Sequence, residues 1–106
     1  MHKIHYLPLA LNDLKGIMKY ITQDLDAPQA AEKLLQKIDV EVQKIAENPF
    51  RCHVYVPPQK LGYEYRILHI NNYSLFYTME KEKVEIHRVI YSKRNFQQVF
   101  EGQETH

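Results

Sequence analysis

The sequence predicts an α+β fold in which a helical hairpin packs on a small, mainly antiparallel sheet. Two observations carry this. Between Pro28 and Glu47 the residues Ala31, Leu34, Leu35, Ile38, Val42 and Ile45 recur at helical spacing. Between Tyr63 and Tyr91, aromatic-rich alternating segments are separated by two short polar turns, as in an antiparallel meander. The order β-α-α-β-β-β plus a short C-terminal helix follows.

Lys3 to Tyr6 is a short strand, ended by Pro8. A first helix spans about Leu9 to Gln23, with Leu14, Ile17, Met18 and Ile21 on one face. Gly16 weakens it by about 1 kcal/mol relative to alanine and leaves room for another backbone. Asp26, Pro28 and Gln29 read as a second helix start, with Asp26 as the cap and Pro28 in the first turn. That helix ends at Asn48-Pro49, because proline disfavours helix in the residue before it. Phe50 to Leu61 is expected to be irregular, since Pro57-Pro58 excludes a central strand. Strands are then expected over about Tyr63–Ile70, Tyr73–Met79 and Val84–Tyr91. Asn71-Asn72 supplies one tight turn, because asparagine tolerates positive φ, and Glu80 to Lys83 supplies the other. A short helix from about Lys93 to Phe100 packs Phe96, Val99 and Phe100. One face of the sheet is then covered by the hairpin. The other is expected to be only partly covered and is the place to look for function.

At 106 residues the chain forms one domain, 1–100, with 101–106 as a flexible tail. The single cysteine, Cys52, excludes an internal disulfide framework and agrees with a reducing cytoplasm. No apolar run reaches the roughly 18 residues of a membrane span, and no signal-peptide core is present, so a cytoplasmic location without membrane contact is expected. The six histidines are scattered without metal-ligand spacing, so neither metal nor other cofactor is expected. With 14 basic and 13 acidic side chains, bulk charge does not suit a general nucleic-acid coat. Charge is local instead: from Ile86 to Phe100 the chain carries Arg88, Lys93 and Arg94 and no acid. An anionic or acidic partner is expected there.

Each candidate has a bland reading beside the functional one. Arg66, on the first meander strand, is either paired with an acid such as Glu64 or Glu85, or a clamp for phosphate or carboxylate. Arg88 interrupts apolar positions, so either the strand bulges there or the side chain reaches the open face. A structural ion pair is its bland reading. His87 points the other way and titrates in the range useful for proton transfer, although a packing role is commoner. Lys93 and Arg94 are either a solvated pair or a contact for RNA phosphate or a protein target. Arg66, Arg88 and Arg94 would form one patch if the fold converged them. The tyrosines suit sheet packing, and exposed ones suit bases or a protein groove. No Ser/His/Asp order, phosphate loop or paired carboxylates stand out.

The ordered series Leu7-Pro8-Leu9-Ala10, Asp13-Leu14, Ile17, Tyr20-Ile21, Pro28, Ala30-Ala31, Asn48-Pro49, Tyr65-Arg66-Ile67-Leu68, Asn72-Tyr73, Phe76-Tyr77 and Arg88-Val89-Ile90-Tyr91 through Arg94 resembles RelE/ParE-type toxins over Ile4 to Phe96. The resemblance implies the toxin of a bacterial type II toxin–antitoxin pair, with growth inhibition and plasmid stabilisation as its roles. A cognate antitoxin would hold it inactive, and contact operator DNA only through that antitoxin is implied. RelE-like members cleave mRNA on the ribosome without metal, using basic side chains to hold the scissile phosphate. Laid on that pattern, Arg66 and Arg94 match basic positions and are the catalytic candidates. Leu68 and Ser74 stand where a lysine and an arginine belong, and Phe100 replaces a tyrosine. ParE-like members bind DNA gyrase and need no catalytic set. The Asn72-Tyr73/Phe76-Tyr77 and Arg88-to-Arg94 patterns look closer to that branch. Arg88, Lys93, Arg94, Phe96 and Phe100 are then the expected target- or antitoxin-binding residues. The alternatives are a ribosome-dependent endoribonuclease and a nontoxic interaction module.

Overall fold

A computed structural model describes residues 1–56, 62–96 and 98–100. Strand β1 is Lys3–Tyr6 and helix α1 is Pro8–Lys19. Pro8 therefore opens the helix rather than merely ending the strand, because the first helical position has no amide bond to lose. A π-helical turn, Tyr20–Asp24, continues α1, and the Leu25 amide donates back to the Tyr20 carbonyl at 3.1 Å. Helix α2 spans Pro28–Glu47, as expected, but the predicted cap is not made. Ala27 stands at the cap position without a side-chain bond, and Asp26 takes a left-handed φ of 50°. The tight link between the helices needs a left-handed residue there, a conformation aspartate tolerates better than most.

On α2, Ala31, Leu34, Ile38, Val42 and Ile45 are buried, whereas Leu35 is 45% exposed. One residue past Leu34 is a rotation of about 100°, which carries Leu35 off the buried stripe. Asn48 ends α2 and accepts the Phe50 amide through its side chain, starting a single 3₁₀ turn, Pro49–Arg51.

Strand β2 is His53–Val54, followed by β3 (Arg66–Ile70), β4 (Tyr73–Glu80) and β5 (Lys83–Tyr91). The expected irregular stretch thus contains a two-residue strand, and β3 starts three residues later than Tyr63. Residues 57–61, including Pro57-Pro58, and the tail 101–106 lie outside the described residues. The sheet order is β1-β5-β4-β3-β2, with β1 parallel to β5 and the other pairings antiparallel. Asn71 and Lys81 open the two hairpin turns with φ of 52° and 55°.

Helix α2 and the partly buried Leu14, Ile17 and Met18 of α1 cover one sheet face through Leu75, Tyr77, Val84, Ile86 and Val89. The other face is not open. Tyr65, Phe76, Ile90 and Phe100 form a second buried cluster beneath Tyr55, Ile67, Phe96 and Val99. The Phe76 ring lies 5.0 Å, edge-on, from both Phe96 and Phe100. Aromatic area on both sides of Phe76 draws the helical residues 98–100 onto the sheet. The surface available for function is therefore displaced to the end of the sheet where β1 has stopped.

Candidate functional site

Strand β1 pairs with β5 only as far as Tyr6 opposite Ile86, yet β5 runs on to Tyr91. Beyond Ile86 the chain leaves a cleft of about 720 Å³ in place of an edge strand. Its walls are Asn12, Asp13, Gly16, Ile17 and Tyr20 of α1 and its π turn on one side. Val89 to Tyr91 form the other side, Asn72 and Tyr73 one end, and Leu25 and Arg94 the rim.

A β-bulge sets the geometry. Phe76 pairs with Arg88 and Tyr77 with Ile86, which leaves His87 as the extra residue of β5. The Arg88 side chain reaches α1, where its Nε and Nη2 donate to the two Asp13 carboxylate oxygens at 2.7 and 2.8 Å. The same carboxylate accepts the Val89 amide at 3.0 Å. Both side chains are only 13% exposed. Asp13 thus ties α1 to the strand edge that β1 no longer covers, and Arg88 holds that tie as a structural ion pair. Its charge is committed within the fold.

Arg94 is exposed at the opposite rim, just after β5, in a turn closed by its amide on the Tyr91 carbonyl at 2.9 Å. Lys93 beside it is exposed as well. Between the Asp13–Arg88 pair and Arg94 lie three phenol rings. Tyr73 packs edge-on to Tyr91 at 6.0 Å. Burial, reinforced by the neighbouring Tyr20 and Tyr91, raises the Tyr73 pKa above its ordinary value, so its phenol stays neutral at physiological pH. Tyr20 and Leu25 are each about half exposed, at 49% and 54%. The cleft is therefore an aromatic trough with the exposed Arg94 at its lip, suited to a polypeptide that brings apolar and acidic side chains.

Arg66 is elsewhere. It sits at the end of β3 remote from the Asn71-Asn72 turn, donating through Nη1 to the Cys52 carbonyl at 2.6 Å. Its guanidinium lies 5.1 Å from the Phe50 ring centroid, and Glu64 is 3.8 Å from Nη2. The hollow of about 280 Å³ beside it is lined by the carboxylates Glu64, Glu80 and Glu85, which repel a phosphate. The three arginines do not converge. Arg94 lines the cleft, Arg88 is held on its wall residue Asp13, and Arg66 braces the 3₁₀ turn.

The other candidates are also fixed by the fold. His87 is buried between Thr78, whose hydroxyl is 2.9 Å from Nε2, and Tyr65, 3.5 Å from Nδ1. Burial lowers its pKa, with Glu85 opposing, so the ring is a neutral packing group. Phe100 is 2% exposed and Phe96 partly buried, both packed in the cluster with Ile90. Ser74 is fully buried, linked to Ser92 at 2.7 Å and to His69 at 3.0 Å. Among the described residues no group of His, Cys, Asp and Glu side chains gathers to hold a metal ion, and no helix is long and apolar enough to cross a membrane. The residues that sequence reasoning missed are Asp13, Tyr20 and Leu25. Asp13 and Tyr20 belong to the recurrent series of the first helix, but their roles depend on a strand more than sixty residues away.

Comparison with known proteins agrees with this fold. The family model "ParE toxin of type II toxin-antitoxin system, parDE" matches residues 4–96. A solved structure described as the chromosomal ParDE TA system from P. aeruginosa superposes with a TM-score of 0.71 at 18% identity, covering 88% of this chain and 98% of that one. No curated protein sequence matches the chain.

Proposed function

Because this chain belongs to the ParE toxin family of type II toxin–antitoxin systems, we propose that it inhibits growth by binding DNA gyrase and that a cognate antitoxin neutralises it by covering the same surface. The observation that carries this reading is the character of the cleft. It offers Tyr20, Tyr73, Tyr91 and a rim cation, and among the described residues no acid–base set assembles there. A contact surface needs shape, aromatic area and charge, and these are present.

The alternative, RNA cleavage, would need basic groups converging on one phosphate. Arg66 is committed to the Cys52 carbonyl and ringed by acids, and it lies away from Arg94. Leu68 adds no charge, Ser74 is buried and Phe100 has no hydroxyl and no exposure. The geometry favours binding over catalysis.

The test is induction of the chain in growing bacteria with pulse labelling of DNA, RNA and protein. The reading predicts that DNA synthesis stops first, accompanied by a DNA-damage response. A first stop in protein synthesis would overturn the gyrase assignment in favour of mRNA cleavage. No growth defect at all would leave a nontoxic binding module.

A further inference from the structure

The cleft has a feature that aromatic contact alone does not use. Backbone groups alternate sides along a strand, and the Ser92 amide donates towards β4, to the Asn72 carbonyl at 2.8 Å. Counting back, the amides and carbonyls of Val89 and Tyr91 face the side that β1 has vacated. The Val89 amide is taken by Asp13 and the Tyr91 carbonyl by the Arg94 amide. That leaves the Val89 carbonyl and the Tyr91 amide facing the cleft, two residues apart. In a parallel ladder one residue of the incoming strand satisfies such a pair, donating to the first and accepting from the second. The existing β1–β5 pairing uses this pattern, as when the Leu7 amide donates to the Ile86 carbonyl.

We infer that the antitoxin enters this cleft as an extended segment, adding to β5 at Val89–Tyr91 in line with β1, with an acidic side chain on Arg94 and an apolar one between Tyr20 and Tyr73. This rests on the reading of the chain as an antitoxin-bound toxin and specifies how that partner is held. Charge selects the segment: among the described residues the carboxylate in the cleft wall is Asp13, which Arg88 already neutralises, so Arg94 and Lys93 set the sign of the open rim. Space permits it as well. A Cβ built on Gly16 meets nothing within 4 Å, so the floor facing the strand edge is open to a second backbone. Main-chain bonds supply affinity in such additions, and alternate side chains supply specificity.

The probe is the full-length protein encoded by the adjacent reading frame, mixed with the full-length toxin. Amide hydrogen exchange is followed at Tyr91, and affinity is measured for Arg94→Glu and Gly16→Trp. Strand addition predicts that complex formation slows exchange at Tyr91 by about a hundredfold or more. Arg94→Glu and the cleft-filling Gly16→Trp each weaken binding by about tenfold or more, with the thermal melting of Arg94→Glu unchanged. If the complex forms and the Tyr91 amide exchanges as in the free toxin, strand addition is wrong while the toxin–antitoxin reading stands. Tyr91 protection with undiminished affinity of the folded Arg94→Glu variant overturns the acidic contact. If the adjacent protein does not bind the wild-type toxin at all, the underlying reading falls and takes this inference with it.

Discussion

His87 shows how a single side chain can look catalytic in sequence and be structural in place. A neutral imidazole offers one donor and one acceptor, and the Thr78 and Tyr65 hydroxyls can complement either tautomer. Protonation would put charge into a buried aromatic cluster, which is why burial depresses its pKa. The folded chain then takes up this proton less readily than the unfolded chain. Stability from this group is complete above the ordinary histidine range and is lost as pH falls from about 6.5 towards the lower folded value. The urea midpoint should therefore drop between about pH 7.5 and 5.5, and His87→Gln should flatten that drop while retaining a bond to Thr78. An equal drop in both proteins would show that His87 is not the responsive group. The arginines were more legible than the histidine. The cost of a charge among Val84, Ile86 and Ile90 implies either a bulge or a side chain reaching the open face, with an ion pair as the bland reading of Arg88, and the structure has the bulge and the ion pair. The partner itself, Asp13, was not legible, because it stands 75 residues earlier and nothing local announces the pairing.

Between elements, the Asp13 carboxylate does the work of a missing strand. It accepts the Val89 amide and two donors of Arg88, so α1 caps one amide of the β5 edge that β1 does not reach. Asp13→Asn would leave the Arg88 charge largely buried without its counter-ion, and the expected loss is about 3 kcal/mol in urea unfolding. For comparison, opening the exposed Glu41–Lys44 pair, 3.1 Å apart, should cost less than about 1 kcal/mol. If the two losses were equal, Asp13 would not be the tie described. Helix α2 was legible almost to the residue, since Pro28 and Asn48-Pro49 bracket a long periodic stripe. The cap at Asp26 was not, because the short link between helices imposes a left-handed backbone that outranks the capping preference. Strand β2 escaped notice because two residues carry no alternation to read. The coverage of the second sheet face was missed for a different reason. The aromatics of the C-terminal segment were identified, but not that Phe76 lies beneath them.

For the molecule as a whole, the fold puts β1 beside β5 and makes β1 the shorter of the two, and this mismatch creates the cleft. Local pattern alone gives the elements, while the cleft depends on register between the two ends of the chain. That is why Arg94 and the sheet tyrosines were visible as candidates, and Gly16 as room for another backbone, but Tyr20 and Leu25 were not. The proposal that most needs testing is that this chain acts by contact through the Arg94 rim. The measurement that tests it most directly is DNA supercoiling by purified gyrase with increasing toxin, wild type beside a folded Arg94→Glu variant. Inhibition that rises with wild-type toxin to saturation and weakens by about tenfold or more in the variant is the predicted result. Gyrase unaffected by the wild-type chain, or inhibited equally by both proteins, would contradict the account.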